Sequence, residues 1–367
     1  MGASFRGAVA TTANPLYTTL EIAKQAEASG ARVVVTLASH VHKLRDLKDQ
    51  VIVVTVDDPA PEGCVPLSFL MGADLHHGSS CDAEYNIGVE AEEVVALPFS
   101  SGTTGLPKGV MLTHKTLVSN VAQQVDGDNP HFYLCCEDVM LCVLPLFHIY
   151  SLNMLFCSLR TGAAILTVQK FETSVVLELI ERYGVTVAPL VPPIVLSIAK
   201  ISFLDKFDLS SVRCVMSGAA PLSNCVVHAY GMTETGPVIT MSLAFAKKPF
   251  PMKSGSCGTL VRNSEMKIID PHTGLSLPHN QHGEICIRGP QIMKGYLNNE
   301  EATQKSIDTQ GWLHSGDIGY MDEEDDRAVH SRSRQGAHQI QRIPSGSCRS
   351  GSNSGESSIY RRCCRCC

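Results

Sequence analysis

The sequence predicts an α/β fold in which a doubly wound parallel sheet is followed by a small, barrel-like β subdomain. Three observations support this. Short apolar runs alternate with helical patterns from Thr18 to Ser217, as in a parallel sheet covered by helices on both faces. After Pro249 the apolar runs become short and are separated by Gly, Pro and Asn, which favours a β subdomain. Beyond Asp322 the sequence shows no apolar period.

The first elements follow a β-α-β pattern. Thr18 and Glu21 form a capping box that opens a helix, and Gly30 ends it. We then expect two buried strands and a short helix between them, at residues 33–36, 51–56 and 40–50 respectively. Such a rhythm predicts parallel pairing, because parallel strands need a crossover connection.

The middle of the chain continues this rhythm. Further strands are predicted at residues 139–144, 163–168, 185–190 and 212–217. Residues 174–183 form an amphipathic helix that ends before Gly184, since apolar side chains recur there at helical spacing. In the β subdomain, strands are predicted at residues 265–269 and 284–288.

We therefore divide the chain into three parts. Residues 1–248 form a partial α/β large domain, and residues 249–322 form its β subdomain. Residues 323–367 are rich in Ser, Arg and Gly, poor in aliphatic residues and free of lysine. A segment of this composition buries too little apolar surface to order itself, so we predict a disordered tail.

Composition narrows the functional classes. The 367 residues are 44% hydrophobic and 18% charged, with a formal net charge of −6, which is typical of a globular protein and gives no basic surface for nucleic acid. No secretory signal is recognised. The longest apolar stretches are broken by His, Asn and Pro before they reach the about 20 residues of a membrane span.

Cysteine usage indicates a reducing compartment, so we expect a cytoplasmic protein. Of the 15 cysteines, ten are scattered without C-x-x-C spacing and are interpreted as small hydrophobic residues. The other five lie in the last twenty residues, which end in CCRCC. No histidine is placed there to complete a soft-metal site.

The stretch SSGTTGLPKGV, residues 100–110, has the features of a polyphosphate-binding loop. Gly102, Gly105 and Pro107 allow a tight turn that presents backbone N–H groups to an anion, four hydroxyls add neutral donors, and Lys108 adds a positive charge. Apolar residues flank the stretch on both sides, so the loop is expected to connect two buried strands. A Walker A loop is disfavoured because Gly109, and not Ser or Thr, follows the lysine.

The loop and several other stretches carry a family resemblance. SSGTTGLPKGV resembles the signature loop of the adenylate-forming superfamily of acyl- and aryl-CoA ligases, luciferases and adenylation domains. VLPLFHIYSLN, VMSGAAPL, YGMTETGPV, GEICIRG and GWLHSGDIGY are similar to segments of the plant 4-coumarate–CoA ligases. The resemblance extends from near residue 1 to about Asp322.

This resemblance implies a two-step ligation with ATP, Mg²⁺ and coenzyme A. A carboxylate attacks the α-phosphate of ATP to give an acyl-adenylate and pyrophosphate, and the thiol of coenzyme A then releases AMP. The first step needs phosphate binding, a metal and in-line positioning more than a protein nucleophile. The implied substrates are small molecules: 4-coumarate and related hydroxycinnamates, ATP and coenzyme A.

The same resemblance assigns site residues. The phosphate contacts would be Ser100, Ser101, Gly102, Thr103, Thr104 and Lys108. The other nucleotide contacts would be Tyr230 at adenine, Thr233 at the α-phosphate, Glu234 at Mg²⁺ and Asp317 at the ribose hydroxyls. His148 would gate the reacting carbonyl beside a pocket formed by Tyr150, Ala219, Gly236, Pro237 and Val238, and Lys170 would contact coenzyme A. His148, Thr233 and Glu234 are the residues expected to act in catalysis.

The sequence also departs from the family pattern. The family has a further N-terminal portion, a helix and a strand between GAAPL and the tyrosine motif, and a C-terminal domain that supplies a lysine to adenylation. None of these is recognisable here. A lost electrostatic donor commonly reduces the rate by about 100-fold or more, so we expect impaired activity.

Two other functions remain open. A non-catalytic protein could keep nucleotide binding or regulate an intact enzyme. Another acyl-adenylate enzyme, such as a fatty acyl-CoA ligase, has the same loop, although HIYSLN and SGAAPL favour an aromatic acid.

Overall fold

The computed structural model describes residues 4, 6–47, 49–72, 88–100, 107–217, 227–248, 256–323 and 328–333. The chain folds as a mixed α/β protein with four sheets in this part. The site residues Ser101, Gly102, Thr103, Thr104 and Ala219 lie outside the described residues.

A three-stranded parallel sheet comes first. Its elements are helix α1 (Thr19–Ser29), strand β1 (Val33–Thr36), a 3₁₀ helix (Ala38–Leu47), β2 (Ile52–Thr55), β3 (Val65–Pro66) and α2 (Leu67–Gly72). The predicted capping box is present: the Thr18 side chain accepts from the N–H of Glu21, and the Glu21 carboxylate accepts from Thr18. Gly30 ends α1 in the left-handed conformation, at φ 63°.

Two of the first predictions need correction. Strand β1 was predicted to be buried, but Val33 and Val35 are 52% and 59% exposed. Alternate side chains of a strand point to opposite faces, and only the face of Val34 packs on the cluster around Ala26. Strands β1, β2 and β3 also form a sheet of their own and do not join one large parallel sheet. Among the described residues, β1 pairs with β2, and β2 pairs with β3.

A small antiparallel sheet carries the two ends of the glycine-rich loop. It contains β4 (Val94–Ala96), β5 (Phe99–Ser100) and β6 (Lys108–Thr113), and helix α3 (His114–Val125) follows at once. The loop connects two strands, as predicted, and they pair with each other, since Ser100 of β5 lies opposite Lys108 of β6. Of the two, β6 is largely buried and β5 only partly. Thr113 caps α3 by accepting from the N–H of Thr116.

A seven-stranded sheet forms the centre of the large domain. Its strands are β7 (Val139–Cys142), β8 (Ala164–Thr167), β9 (Val187–Leu190), β10 (Cys214–Ser217), β11 (Val227–Gly231), β12 (Val238–Met241) and β13 (Thr259–Leu260), in the spatial order β13-β12-β11-β10-β9-β7-β8. Strands β7 to β11 are parallel, whereas β12 and β13 are antiparallel.

Helices connect the parallel strands, as in a doubly wound fold. They are α4 (Ile149–Thr161), α5 (Thr173–Tyr183) and α6 (Pro192–Ala199), with 3₁₀ turns at Leu204–Lys206, Thr233–Thr235 and Leu243–Phe245. The sequence predicted α5 to within one residue, because its apolar face and the left-handed Gly184 are local signals. Two buried clusters, centred on Met216 and on Leu177, pack against this sheet.

The last described part is mainly a four-stranded antiparallel sheet. Strands β14 (Glu265–Ile269), β15 (Gly283–Arg288), β17 (Leu313–Met321) and β18 (Ala328–Ser333) pair in that order. Strand β16 (Gly295–Tyr296) instead pairs with β6, and helix α7 (Glu300–Ser306) follows it. The domain division at residue 248 stays a prediction.

Strand β18 lies in the segment predicted to be disordered, and for residues 328–333 that prediction is wrong. The backbone of β18 pairs with Asp317 to Met321 of β17. Such pairing uses backbone groups and does not require the apolar pattern that we looked for.

No helix of the described ranges is long and apolar enough to cross a membrane.

Candidate nucleotide and acyl site

The buried carboxylate of Glu234 is the centre of the candidate site. It lies in the 3₁₀ turn between β11 and β12, and the residue is only 5% exposed. Its Oε1 accepts two hydrogen bonds, from Ser100 Oγ and from Tyr296 Oη, each at 2.9 Å. Across the described residues, Oε2 has no hydrogen-bond partner. A buried carboxylate with one oxygen left over is a suitable ligand for a hard cation.

The turn that holds Glu234 is fixed by its neighbours. The Thr235 hydroxyl donates to the carbonyls of Met232 and Pro237, both at 2.9 Å. Gly236 adopts φ 69°, and a Cβ there would lie 2.9 Å from Thr116 Cγ2. The left-handed conformation and the lack of space both require glycine at this position.

Lys108 lies at the other end of the glycine-rich loop. Its Nζ is 4.9 Å from the centroid of the Tyr296 ring, which is a cation–π contact. Burial and the neighbouring Glu234 raise the pKa of Tyr296, so its hydroxyl stays protonated and donates to the carboxylate. Tyr296, which the sequence analysis missed, therefore contacts both Lys108 of the predicted loop and Glu234, and Glu234 also accepts from Ser100.

Tyr230 and Asp317 form the second predicted pair of the nucleotide site. The Tyr230 hydroxyl donates to Asp317 Oδ2 at 2.9 Å, although 87 residues separate them in the chain. Burial, then the charge of Asp317, raises the pKa of Tyr230. Asp317 is 8% exposed, and its backbone N–H donates to Ser315 Oγ. The two residues thus place a phenol ring beside a carboxylate, as adenine and ribose recognition would require.

The residues predicted for the acyl pocket occupy α4 and the start of β12. Tyr150 packs against the buried cluster that contains Val238 and Met241. Its hydroxyl has no hydrogen-bond partner within the described residues, and burial raises its pKa. A buried hydroxyl without a partner favours a ligand whose polar group can form a hydrogen bond with it.

His148 lies at the N-cap of α4 and remains exposed to solvent. Its ring contacts Phe147 at 4.4 Å between centroids, and partial burial lowers the pKa of His148. The imidazole is therefore neutral near pH 7. We find no described hydrogen bond that fixes its ring.

Asn120 of α3 was also missed by sequence reasoning. It is fully buried, its amide donates to the carbonyl of Val238 at 2.9 Å, and its Oδ1 accepts from the Val238 N–H at 3.2 Å. Gln124 donates to the same Oδ1 at 2.9 Å. Asn120 thus fixes the backbone at the start of β12, where Gly236, Pro237 and Val238 lie.

Lys170 is not brought into contact with these residues. Its side chain is 83% exposed, and its described partner is Glu172 at 3.7 Å. A contact with coenzyme A stays a prediction. Thr233 begins the turn of Glu234, but no described side-chain contact assigns it a role.

The fold and the site define an adenylate-binding class of protein, and comparison with known families agrees. Residues 1–297 match the model of the AMP-binding enzyme family. The chain therefore belongs to this family.

The particular relatives are plant proteins. The chain is 58% identical to a 4-coumarate–CoA ligase of Pinus taeda, over 91% of the chain and 64% of that protein. It is 57% identical to 4-coumarate–CoA ligase 2 of Nicotiana tabacum, again over 91% and 64%. The chain thus spans slightly less than two thirds of these relatives' length.

Solved structures show the same fold. ATP-bound MatB from Rhodopseudomonas palustris superposes with a TM-score of 0.73 at 27% identity, over 88% of this chain and 63% of that one. A luciferase-like enzyme of the mealworm Zophobas morio gives a TM-score of 0.76 at 20% identity, over 89% and 77%, which is evidence for the fold alone.

Proposed function

We propose that the protein is an ATP-dependent acid–thiol ligase that joins 4-coumarate and related hydroxycinnamates to coenzyme A through an acyl-adenylate. The observation that carries the proposal is the convergence of Ser100 and Tyr296 on the carboxylate of Glu234, with Lys108 over the Tyr296 ring, in a chain that is 58% identical to a 4-coumarate–CoA ligase. This arrangement combines a hydroxyl, a cation and a buried carboxylate at the ends of a glycine-rich loop.

The nucleotide would bind along this arrangement. Lys108 would neutralise phosphate charge, with Ser100 and the loop residues Ser101 to Thr104 as donors. Tyr230 would flank adenine, and Asp317 would accept from the ribose hydroxyls. These groups hold and orient ATP, and the attacking carboxylate comes from the acid substrate.

Magnesium fits the donor set at Glu234. Glu234 Oε2, which has no hydrogen-bond partner among the described residues, is a hard ligand, and two hydroxyls fix the other oxygen. The metal would supply charge neutralisation at the phosphates. Thr233, next in the chain, would reach the α-phosphate.

The aromatic acid would occupy the pocket beside α4. The unpartnered hydroxyl of Tyr150 supports a phenolic ligand, because a fatty acyl chain would leave this buried group unsatisfied. Val238 and the small residues Ala219 and Gly236 would form walls for a flat ring, and neutral His148 would border the reacting carbonyl. Coenzyme A would approach Lys170, and a cytoplasmic location is expected from the cysteine usage.

A catalytically inactive, nucleotide-binding role is the second candidate. One feature of the sequence supports it: the connection between Ser217 and Tyr230 is shorter than the family pattern. With an incomplete adenine pocket, nucleotide binding would persist in weakened form while adenylation would be slow.

Two assays on the same protein separate these roles. Equilibrium binding of MgATP and 4-coumarate tests the site, and pyrophosphate exchange with hydroxycinnamoyl-CoA formation tests the chemistry. We expect the parent protein to bind MgATP. Glu234→Gln should weaken this binding, whereas the surface variant Lys115→Ala should leave it unchanged. We expect turnover near background, and higher turnover when the segment between Ser217 and Tyr230 is replaced by its longer counterpart from a relative, in a grafted protein. A grafted protein that formed only fatty acyl-CoA would refute the substrate assignment.

A further inference from the structure

Three potential metal ligands meet on one face of the four-stranded sheet. Glu284 and Cys286 are two residues apart on β15, so their side chains point to the same face. His314 of β17 lies directly opposite Cys286 in the antiparallel register. The register shifts between Glu284 and Cys286, and Glu284 lies opposite Ile318 of β17.

The ligand atoms are close together. Cys286 Sγ lies 3.5 Å from His314 Nδ1, and His314 Nδ1 lies 3.5 Å from Glu284 Oε2. All three atoms lie within 4.8 Å of one another. Cys286 is fully buried, whereas the side chains of Glu284 and His314 keep 13% and 28% exposure. A cation from solvent can therefore reach the cluster from one side.

The surrounding groups orient these ligands. The second ring nitrogen of His314, Nε2, faces Asp308 Oδ2 at 3.6 Å. The second oxygen of Glu284, Oε1, accepts from the N–H of Gly316 at 3.1 Å. An outer carboxylate on a ligating histidine is the common arrangement at protein metal sites, because it fixes the ring and raises its basicity.

We propose that Glu284, Cys286 and His314 form a binding site for zinc or a similar thiolate-binding divalent cation, with water as the fourth ligand. Zinc takes sulfur, nitrogen and oxygen ligands in tetrahedral geometry. Ideal bond lengths give ligand separations of about 3.5 Å for S···N and about 3.4 Å for N···O. The observed separations, 3.5 Å each, match both values.

This site differs from the proposed magnesium site at Glu234. A thiolate and an imidazole select softer cations, whereas Mg²⁺ prefers oxygen ligands. A positive group also lies near the cluster. Lys267 lies opposite Cys286 on β14, and its Nζ lies 4.4 Å from the centroid of the Trp312 ring. The carboxylates of Glu284 and Asp308 offset that charge.

Without a metal, Cys286 is a thiol. Burial, followed by the charge of Glu284, raises its pKa to about 12. Metal binding would release the thiol proton to solvent, and the sulfur would then bond to the cation. The competing explanation is a hydrogen-bonded thiol, imidazole and carboxylate that bind no metal.

Cobalt(II) titration of the full chain tests the site. The terminal cysteines are first replaced by serine, at Cys348, Cys363, Cys364, Cys366 and Cys367, so that they cannot contribute sulfur. We expect one equivalent of Co²⁺ to produce thiolate-to-metal charge-transfer absorption and the intense visible bands of tetrahedral cobalt. Zn²⁺ should displace the cobalt and abolish both.

Variants identify the ligands. Cys286→Ser should abolish the charge-transfer absorption, whereas the control Cys142→Ser, at a partly buried cysteine of strand β7, should not. Asp308→Asn should weaken cobalt affinity roughly 10–100-fold while the thiolate absorption persists at saturation. If Cys286→Ser does not fold, His314→Gln replaces it as the test, and it should lose tetrahedral binding.

The proposal is overturned if the folded parent protein shows no cobalt–thiolate absorption. It is equally overturned if the absorption survives Cys286→Ser, or if a folded His314→Gln variant binds Co²⁺ with unchanged affinity.

Discussion

Tyr296→Phe is the sharpest test of the candidate nucleotide site, since it removes one hydroxyl and leaves the ring in place. That hydroxyl donates to Glu234 Oε1 at 2.9 Å, and both residues are less than a tenth exposed. A hydrogen bond to a charged group contributes about 1.5–3 kcal/mol. Ser100 still donates to the same oxygen, so the carboxylate keeps one partner.

We therefore expect the free energy of unfolding to fall by about 1.5–3 kcal/mol in Tyr296→Phe. Urea unfolding followed by the fluorescence of Trp312, the single tryptophan, measures this change. The matched control is Tyr320→Phe, because the Tyr320 hydroxyl makes no hydrogen bond within the described residues. Its variant should change stability by less than about 0.5 kcal/mol.

A second readout distinguishes positioning of Glu234 from a purely structural role. If Tyr296 orients the carboxylate for Mg²⁺, the variant should need a higher Mg²⁺ concentration to bind ATP. A merely structural tyrosine would lower stability and leave that dependence unchanged. Equal unfolding free energies and equal Mg²⁺ dependence in Tyr296→Phe and the parent protein would refute the reasoning.

Three further predictions follow from the described contacts. Lys108→Ala should weaken MgATP binding by at least about tenfold, because it removes a cation that faces a polyanion; unchanged affinity in calorimetry would reduce the loop to a structural turn. Burial opposes ionisation of Asp138, but hydrogen bonds from Arg213, Thr186 and the Cys135 N–H, together with the charge of Arg213, outweigh it and lower the pKa of that carboxyl from 3.8 to about 2. A lowered pKa stabilises the fold above pH 4, so Asp138→Asn should cost at most about 2.5 kcal/mol at pH 7, and pH-dependent unfolding should show this difference disappearing between pH 4 and 2. Gly236 and Gly274 have φ of 69° and 70°, but only at Gly236 would a Cβ meet neighbouring atoms. Gly236→Ala should therefore be less stable to thermal unfolding than Gly274→Ala by about 1 kcal/mol or more, and equal losses would exclude the steric argument.

Local signals in the sequence predicted much of the fold. The capping box at Thr18, the left-handed Gly184 and the alternation of strands and helices each depend on residues close together in the chain. The exposure of Val33 and Val35 could not be predicted in this way, because an apolar run does not show which faces of a strand are covered. Strand β18 was missed because it has no apolar run, and backbone pairing does not require one.

The residues of the candidate site were also predicted only in part. Motifs identified Glu234, Asp317 and Lys108, but no motif assigned a role to Tyr296 or Asn120. Tyr296 acts on a carboxylate 62 residues away, and Asn120 on a backbone segment 118 residues away. Such contacts depend on how distant elements pack, and a single sequence carries no local pattern for them.

Strand β6 explains why the two hydroxyls reach the same oxygen of Glu234. Ser100 lies on β5, which pairs with β6 at Lys108, and Tyr296 lies on β16, which pairs with β6 at Val110. The carbonyl of Glu234 also accepts from the N–H of Met293, three residues before Tyr296. One buried strand thus sets the spacing between both donors and the turn that carries the carboxylate. The glycine-rich loop begins on β5 and ends on β6, so the site proposed for the phosphates and Glu234, the proposed metal ligand, are positioned by the same strands.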